Sequence, residues 1–302
     1  MHIILFCLLC FLENIDCRKL TEKENEKLRG SCGKKDRRAY YKVFGGLPVK
    51  PNEYPFFVSL RYDLGRKGEE LCGGSLISPY HVLTAAHCII KSSNSATDVC
   101  GKPPLERKFN FTYNTLVNRW RIYIGSKCRH VEKCIKPLTF DRIFVRLDYD
   151  ECSHAHDLAI ITLRSKVGEN AGIPICLPER RQVLRKFLSA VGAGYDPTQK
   201  TRDKFFGGLQ KASLLAFERD DFIETKGRFS ALCSGDSGGP LLSSYEGRFV
   251  LLGIASAVYP SCAENADYRL NRYVDVRKYL DWICKHTGVC PKHQDQDDEE
   301  ND

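Results

Sequence analysis

Fifteen cysteines in a chain of 302 residues constrain this protein more than any other feature. A reducing compartment rarely tolerates so many thiols, so the chain needs an oxidising destination or a metal. The N-terminus chooses between them. Ile3 to Leu12 form an unbroken apolar run, too short to span a bilayer but matched to the core of a secretory signal peptide. Only His2 flanks it on the N-terminal side, with no Lys or Arg. A leader over residues 1–17, removed near Cys17, would take Cys7, Cys10 and Cys17 with it. Twelve cysteines would remain, an even number that suits six disulfides. No later stretch approaches the roughly eighteen apolar residues of a membrane-spanning helix, so none is expected.

The rest has the composition of an ordinary globular protein, 42% hydrophobic and 28% charged, with enough length for a substantial core. Its net charge of +8 is uneven. Six acidic residues crowd the last eight positions, from Asp295 to Asp302, and leave residues 1–294 at +14. A basic body can attract anionic surfaces or acidic substrates. No nucleic-acid motif accompanies it, and the simpler reading is solubility plus a disordered acidic tail over 291–302. Neither nucleic acid nor a membrane is an expected partner, and a monomer is expected.

Residues 18–42 are charged and nearly devoid of large apolar side chains before Tyr40. They read as a pro-segment, helical near Leu20–Leu28 and outside any core. From Val43 the texture changes to short apolar or alternating runs broken by Gly, Pro and Asn. Examples are Phe56–Tyr62, Ser75–Ile77, Val82–Ala86, Arg119–Ile124, Leu158–Leu163, Leu188–Val191 and Phe249–Ala257. Their length and β-branched content predict strands of an all-β barrel or sandwich, and only the neighbourhood of Tyr279–Cys284 reads as helical.

Three strings carry chemistry. Leu83-Thr84-Ala85-Ala86-His87-Cys88 follows Cys72-Gly73-Gly74-Ser75. His156-Asp157-Leu158-Ala159 opens an apolar run. Cys233-Ser234-Gly235-Asp236-Ser237-Gly238-Gly239-Pro240 lies near the C-terminal end. Alone, a His beside a Cys is usually a core residue, an Asp before a strand a cap, and a Gly-rich string a loop. Together, in this order, they resemble the chymotrypsin-like serine peptidases over roughly residues 43–284. The match implies two packed antiparallel β-barrels with a short C-terminal helix, a peptidase domain over 43–290, protein or peptide substrates, and no cofactor. Leu20-Thr21, Glu24-Asn25, Leu28 and Cys32-Gly33 are similar to the leader of the family's nematode-type branch.

The resemblance also assigns roles. A serine hydroxyl is a poor nucleophile unless a base removes its proton. His87 would be that base, Asp157 would orient the imidazole, and Ser237 would attack, following the general Ser-His-Asp template. The Gly235 and Ser237 amides would form the oxyanion hole, where losing one donor costs about 2.7–4 kcal/mol. Cleavage after Lys42 by a trypsin-like enzyme would free Val43, whose ammonium would pair with Asp236. Phe44 stands where the family usually has a small aliphatic residue, and Arg37 and Arg38 offer an alternative cut. The implied disulfides are Cys72–Cys88, Cys233–Cys262 and Cys32–Cys176, the last keeping a cut pro-segment attached. Cys100, Cys128, Cys134 and Cys152 would form two local bonds of open pairing, and Cys284 would join Cys290.

Specificity departs from trypsin. Ala231 stands at the family's pocket floor, so no carboxylate awaits Arg or Lys. By the same resemblance Leu232 would add apolar bulk, Asn271 would occupy another wall position, and Ser256, Ala257 and Val258 would form the strand that pairs with substrate and lines the pocket wall. The expected pocket is shallow and uncharged, for small aliphatic residues. A pocket closed altogether would instead make a catalytically silent homologue that binds partners. Cys152, His154 and His156 alternate and could share one face of a strand around zinc, but oxidised cysteines argue against a metal. Asn110-Phe111-Thr112 is a glycosylation sequon.

Overall fold

The structure is a computed structural model that describes residues 18–34, 47–92, 99–102, 111–113, 117–128, 130–195, 208–227, 231–262, 264 and 268–292. The expected signal peptide, Lys42, Val43, Phe44, Asn110 and the tail beyond residue 292 lie outside the described residues.

The architecture is all-β. In chain order the first sheet contains β2 (Phe57–Asp63), β3 (Glu69–Ser78), β4 (His81–Thr84), β7 (Trp120–Ile124), β8 (Phe140–Val145) and β9 (Ala159–Leu163). They pair antiparallel in the order β7-β2-β3-β4-β9-β8, and a bridge from Ile122 to Leu138 draws the two edges toward each other. The second sheet contains β1 (Leu47–Pro48), β10 (Phe187–Gly192), β11 (Gln210–Arg219), β12 (Phe222–Gly227), β13 (Pro240–Tyr245), β14 (Arg248–Tyr259) and β15 (Arg269–Asp275). Its order is β1-β11-β10-β13-β14-β15-β12, and β12 also pairs with β11, so six of these strands close into a barrel. Closure and curling remove the exposed edges that flat sheets leave open. A small pair, β5 (Ile90–Ser92) with β6 (Phe111–Tyr113), stands apart. Every strand run named from the sequence overlaps a strand, with boundaries shifted by up to a few residues; Ser75–Ile77, for instance, is the inner part of β3.

Among the described residues the α-helices are α1 (Glu22–Ser31), the single turn α2 (Val131–Cys134) and α3 (Leu280–Thr287), which follows a 3-10 turn at Val276–Tyr279. Among the described residues no helix is long and apolar enough to cross a membrane. Thr21 caps α1 in a capping box with Glu24, the sequence signature that starts this helix.

Residues 18–34 correct the expectation that the leader stands outside the core. Leu20, Leu28 and Cys32 are each at most 8% exposed and belong to the main hydrophobic cluster, together with Ile283, Phe249 and Val289. The backbone joins as well. Leu20 N–H donates to Thr287 at 2.8 Å, Gly33 N–H to Pro174 at 2.7 Å, and Phe249 N–H to Gly33 at 2.8 Å. The Arg248 guanidinium donates to the carbonyls of Arg29 (2.5 Å) and Gly30 (3.0 Å) at the C-terminal end of α1, where a cation also suits the helix dipole. Two leucines, a few backbone hydrogen bonds and the Cys32–Cys176 disulfide thus join to the body a segment that composition alone marks as solvated.

Among the described residues there are six disulfides: Cys32–Cys176, Cys72–Cys88, Cys100–Cys152, Cys128–Cys134, Cys233–Cys262 and Cys284–Cys290. The four inserted cysteines thus pair as one long and one short loop, a choice that spacing alone leaves open.

Candidate active site

Pairing of β4 with β9 aligns Thr84 with Ala159, which brings the ends of both strands to one rim of the first barrel. His87 leaves β4 on the 3-10 turn Ala86–Cys88, and Asp157 precedes β9 by two residues. The two meet there. His87 Nδ1 lies 2.7 Å from Asp157 Oδ2, and the His87 amide donates to Oδ1 at 2.9 Å. Asp157 is fully buried, whereas the His87 side chain keeps 25% of its surface exposed. A third donor, the Ser256 hydroxyl on β14, reaches Oδ2 at 2.5 Å. Burial alone would raise the Asp157 pKa, but the adjacent His87 ring, its two hydrogen bonds and the Ser256 hydroxyl outweigh it and hold the carboxyl below the usual range. Sequence reasoning places Ser256 on the substrate strand, and its side chain also supports Asp157.

Ser237 comes from the second barrel, on the turn before β13. Its carbonyl accepts from Gly73 N–H at 2.6 Å, and Gly73 in turn accepts from the Thr84 hydroxyl at 2.8 Å, which ties the serine turn to the strands carrying His87. Cys88 Sγ is 3.7 Å from that same carbonyl. His87 and Ser237 both line one open cleft of about 810 Å³.

The turn is built on glycine. Gly235 has φ +98°, and a Cβ there would stand 3.0 Å from Gly194 Cα. Asp236 clasps the turn from inside: Oδ2 accepts from Cys233 N–H at 2.9 Å and Oδ1 from Gly194 N–H at 2.7 Å. Gly194 approaches so closely that a Cβ would lie 2.7 Å from the Asp236 carboxyl carbon. Gly194 is a contributor that the sequence strings do not reveal, because it lies 42 residues before its partner.

Around the expected acyl pocket, Ala231, Ala257 and Val258 are partly buried, while Leu232 and Ser256 are buried. Asn271 is fully buried. Its Oδ1 accepts from the Leu232 amide at 2.7 Å, and its Nδ2 donates to the Thr225 hydroxyl at 3.1 Å. The side chain braces Ala231–Leu232 against β12, and the Cys233–Cys262 disulfide holds the next residue. No carboxylate is among these residues.

His154 and His156 do not share a strand face. Both occupy left-handed backbone, φ +58° and +57°, in the turn before Asp157. His156 Nδ1 lies 3.0 Å from the Tyr279 hydroxyl, and Cys152 is oxidised to Cys100, so the three offer no common metal site. Cys72, His87 and Cys88 cluster within ligand range, but the two sulfurs are bonded to each other. His154 is a second imidazole beside the dyad: burial lowers its pKa, and Asp157 and His87 act on it electrostatically.

Comparison with known proteins agrees with this geometry. A family model described as Trypsin matches residues 43–283. The urokinase-type plasminogen activator of Gallus gallus is 25% identical over 283 residues, covering 85% of this chain. The chain spans 60% of that relative's length. With the family model covering most of its length and a strand order that closes one barrel beside another curled sheet, the chain belongs to the trypsin family.

Proposed function

We propose that the chain is a secreted serine endopeptidase, made as a zymogen, in which His87, Asp157 and Ser237 form the catalytic triad. One observation carries the reading: the hydrogen-bonded series Ser256–Asp157–His87 ends at the cleft that Ser237 also lines. Ser237 Oγ attacks the scissile carbonyl while His87 Nε2 takes its proton. The negative oxygen meets the Gly235 and Ser237 amides, and the leaving amine departs with the proton from His87. Water, deprotonated by the same imidazole, then hydrolyses the acyl-enzyme and restores Ser237. Buried Asp157 keeps the donating nitrogen toward itself and compensates the imidazolium that forms twice per cycle.

Cleavage after Lys42 would release Val43 to pair with Asp236, and Cys32–Cys176 would retain the leader. The acyl pocket, with Ala231 at its floor and with Leu232 and Asn271 hydrogen-bonded to each other in its walls, favours small uncharged side chains. Protein or peptide is the substrate class. Secretion is supported by six disulfides and the apolar N-terminal run.

A fluorophosphonate probe on the purified chain, before and after cleavage at Lys42, tests the reading. Labelling that appears on cleavage and vanishes in Ser237→Ala supports it. No labelling in either form would make the chain a silent homologue. N-terminal sequencing of the active form checks the cut, and finding Ala39 first would reject Lys42. A preference for Arg or Lys before the cut bond would reject the assignment of Ala231.

A further inference from the structure

Glu53 and Lys211 form an ion pair all but sealed from solvent, with side chains 0% and 4% exposed. Glu53 stands between β1 and β2, and Lys211 lies 158 residues further along, on β11 of the second barrel. The other Glu53 oxygen accepts from the Lys50 amide at 3.0 Å, and Glu53 N–H donates to the Lys50 carbonyl at 3.1 Å, so the carboxylate also closes the turn after β1. The Tyr54 ring lies 5.9 Å from the ammonium. Apolar residues of like volume often replace a buried ion pair at no cost in stability, and the best-attested use of such a pair is to fix registry. The register at stake is that of β1. Its two residues stand opposite β11, Leu47 facing Lys211 and Pro48 facing Gln210, and Val49 N–H donates to Leu209 at 3.0 Å. Pro48 brings no amide hydrogen to the ladder. So short a strand specifies its own register weakly. On the other side of β11, Lys211 faces Val191 and Gln210 faces Gly192. A Cβ on Gly192 would overlap Asp236 Oδ1, so this row of three strands ends against the carboxylate that clasps the serine turn.

We propose that Glu53 and Lys211 are a positioning pair: by fixing β1 in register on β11 they hold the Val43 ammonium, once cleavage frees it, within reach of Asp236, and so set the fraction of cleaved enzyme whose serine turn is ordered. The inference rests on the peptidase and zymogen reading above. Distance permits it. Val43 precedes Leu47 by four residues, a reach of about 13–14 Å. Neighbouring strands lie about 4.8 Å apart, so Pro48 is seated roughly 10 Å from Gly192 and the Asp236 carboxylate beside it. A tethered group pairs in proportion to how often its tether presents it, which is an effective concentration. Glu53→Gln takes the negative charge from beside the buried Lys211 ammonium, which favours movement of that ammonium toward water and loosens β1. The pairing of β11 with β12 that closes the second barrel is untouched by the change.

Fluorophosphonate labelling of the full chain cleaved at Lys42, followed across the alkaline range, tests this. Labelling falls where the Val43 ammonium loses its proton, and pairing with Asp236 raises that midpoint by about one pH unit for each tenfold in the docking equilibrium. Glu53→Gln should weaken docking at least about tenfold, and so bring the midpoint down by about one pH unit or more from that of wild type. Lys211→Gln should do the same, and the double variant should go no lower, because either change alone already breaks the pair. A lower melting temperature with an unmoved midpoint would mark the pair as purely structural and overturn the proposal. Shifts that add in the double variant would show two independent residues and overturn it as well. Should Glu53→Gln fail to fold, Glu53→Asp keeps the charge and shortens its reach by one methylene; its midpoint should lie below that of wild type, and an unchanged one overturns the proposal. Cleaved wild type that labels at no pH sinks the peptidase reading and this inference with it. Labelling with one common midpoint in wild type and every variant overturns the inference alone.

Discussion

Leu28→Ala in the oxidised chain separates a leader that is only tethered from one that is part of the core. Leu28 is 7% exposed, on the inward side of α1, and its segment is already fastened by Cys32–Cys176. If the disulfide alone holds the leader, removing three heavy atoms changes almost nothing. If the leader is packed, the substitution loses transfer energy and leaves a partial cavity. Buried Leu→Ala changes cost about 2–5 kcal/mol, and a position at the rim of the cluster belongs at the lower end, about 2–3 kcal/mol. For a domain of this size each kcal/mol moves the melting temperature about 2–4 °C, so a fall of about 4–12 °C is expected. Differential scanning calorimetry on the uncleaved chain measures it, with the exposed Glu26→Ala as control. Amide exchange distinguishes the route: α1 and the Leu20–Thr287 bond should lose protection before β14 does. A shift under about 1 °C, equal to that of Glu26→Ala, would refute the claim that the leader is structural.

Ser256→Ala removes one of the donors to the buried Asp157 carboxylate; hydrogen bonds to charged groups are worth about 1.5–3 kcal/mol, so kcat/KM on a peptide substrate should fall about 10- to 100-fold. A change below threefold would count against a supporting role. Gly194→Ala forces a Cβ to 2.7 Å from the Asp236 carboxyl carbon and 2.8 Å from the Ser234 carbonyl, so the serine turn must shift. The rate of fluorophosphonate labelling should drop at least tenfold with the disulfides intact. Asp157 is held below its ordinary pKa of 3.8, so its ionised form stabilises the fold fully above that value and loses this contribution as pH falls through the lower folded value. The melting-temperature gap between wild type and Asp157→Asn should therefore be widest above about pH 5 and narrow below pH 3.8. A gap that widens on acidification would reverse the sign of the argument.

Much of this protein was legible along the chain because the relevant physics is local. Short alternating runs bounded by Gly and Pro carry a local strand signal, and Thr21 with Glu24 starts α1 through bonds three residues apart. The strings around His87, Asp157 and Ser237 were recognisable because a tight turn such as that at Gly235 demands particular neighbours. An excess of cysteine behind an apolar N-terminal run implies disulfides through the redox chemistry of the destination.

What the tertiary structure decided is whatever depends on distant segments meeting. Composition marks residues 18–34 as solvated, yet Leu20 and Leu28 join the core cluster that includes Ile283 of α3 and Phe249 of β14, while most of the segment's charged residues remain exposed. Four cysteines permit three pairings, and only the folded loops bring Cys100 to Cys152 and Cys128 to Cys134. Gly194 and Asp236, Ser256 and Asp157, and Glu53 and Lys211 are likewise products of barrel closure and strand register. A linear sequence specifies which groups exist and how each short segment bends. Which of them share a hydrogen bond or a cleft is set by packing, since burial and close approach are properties of the assembled barrels and not of any one stretch.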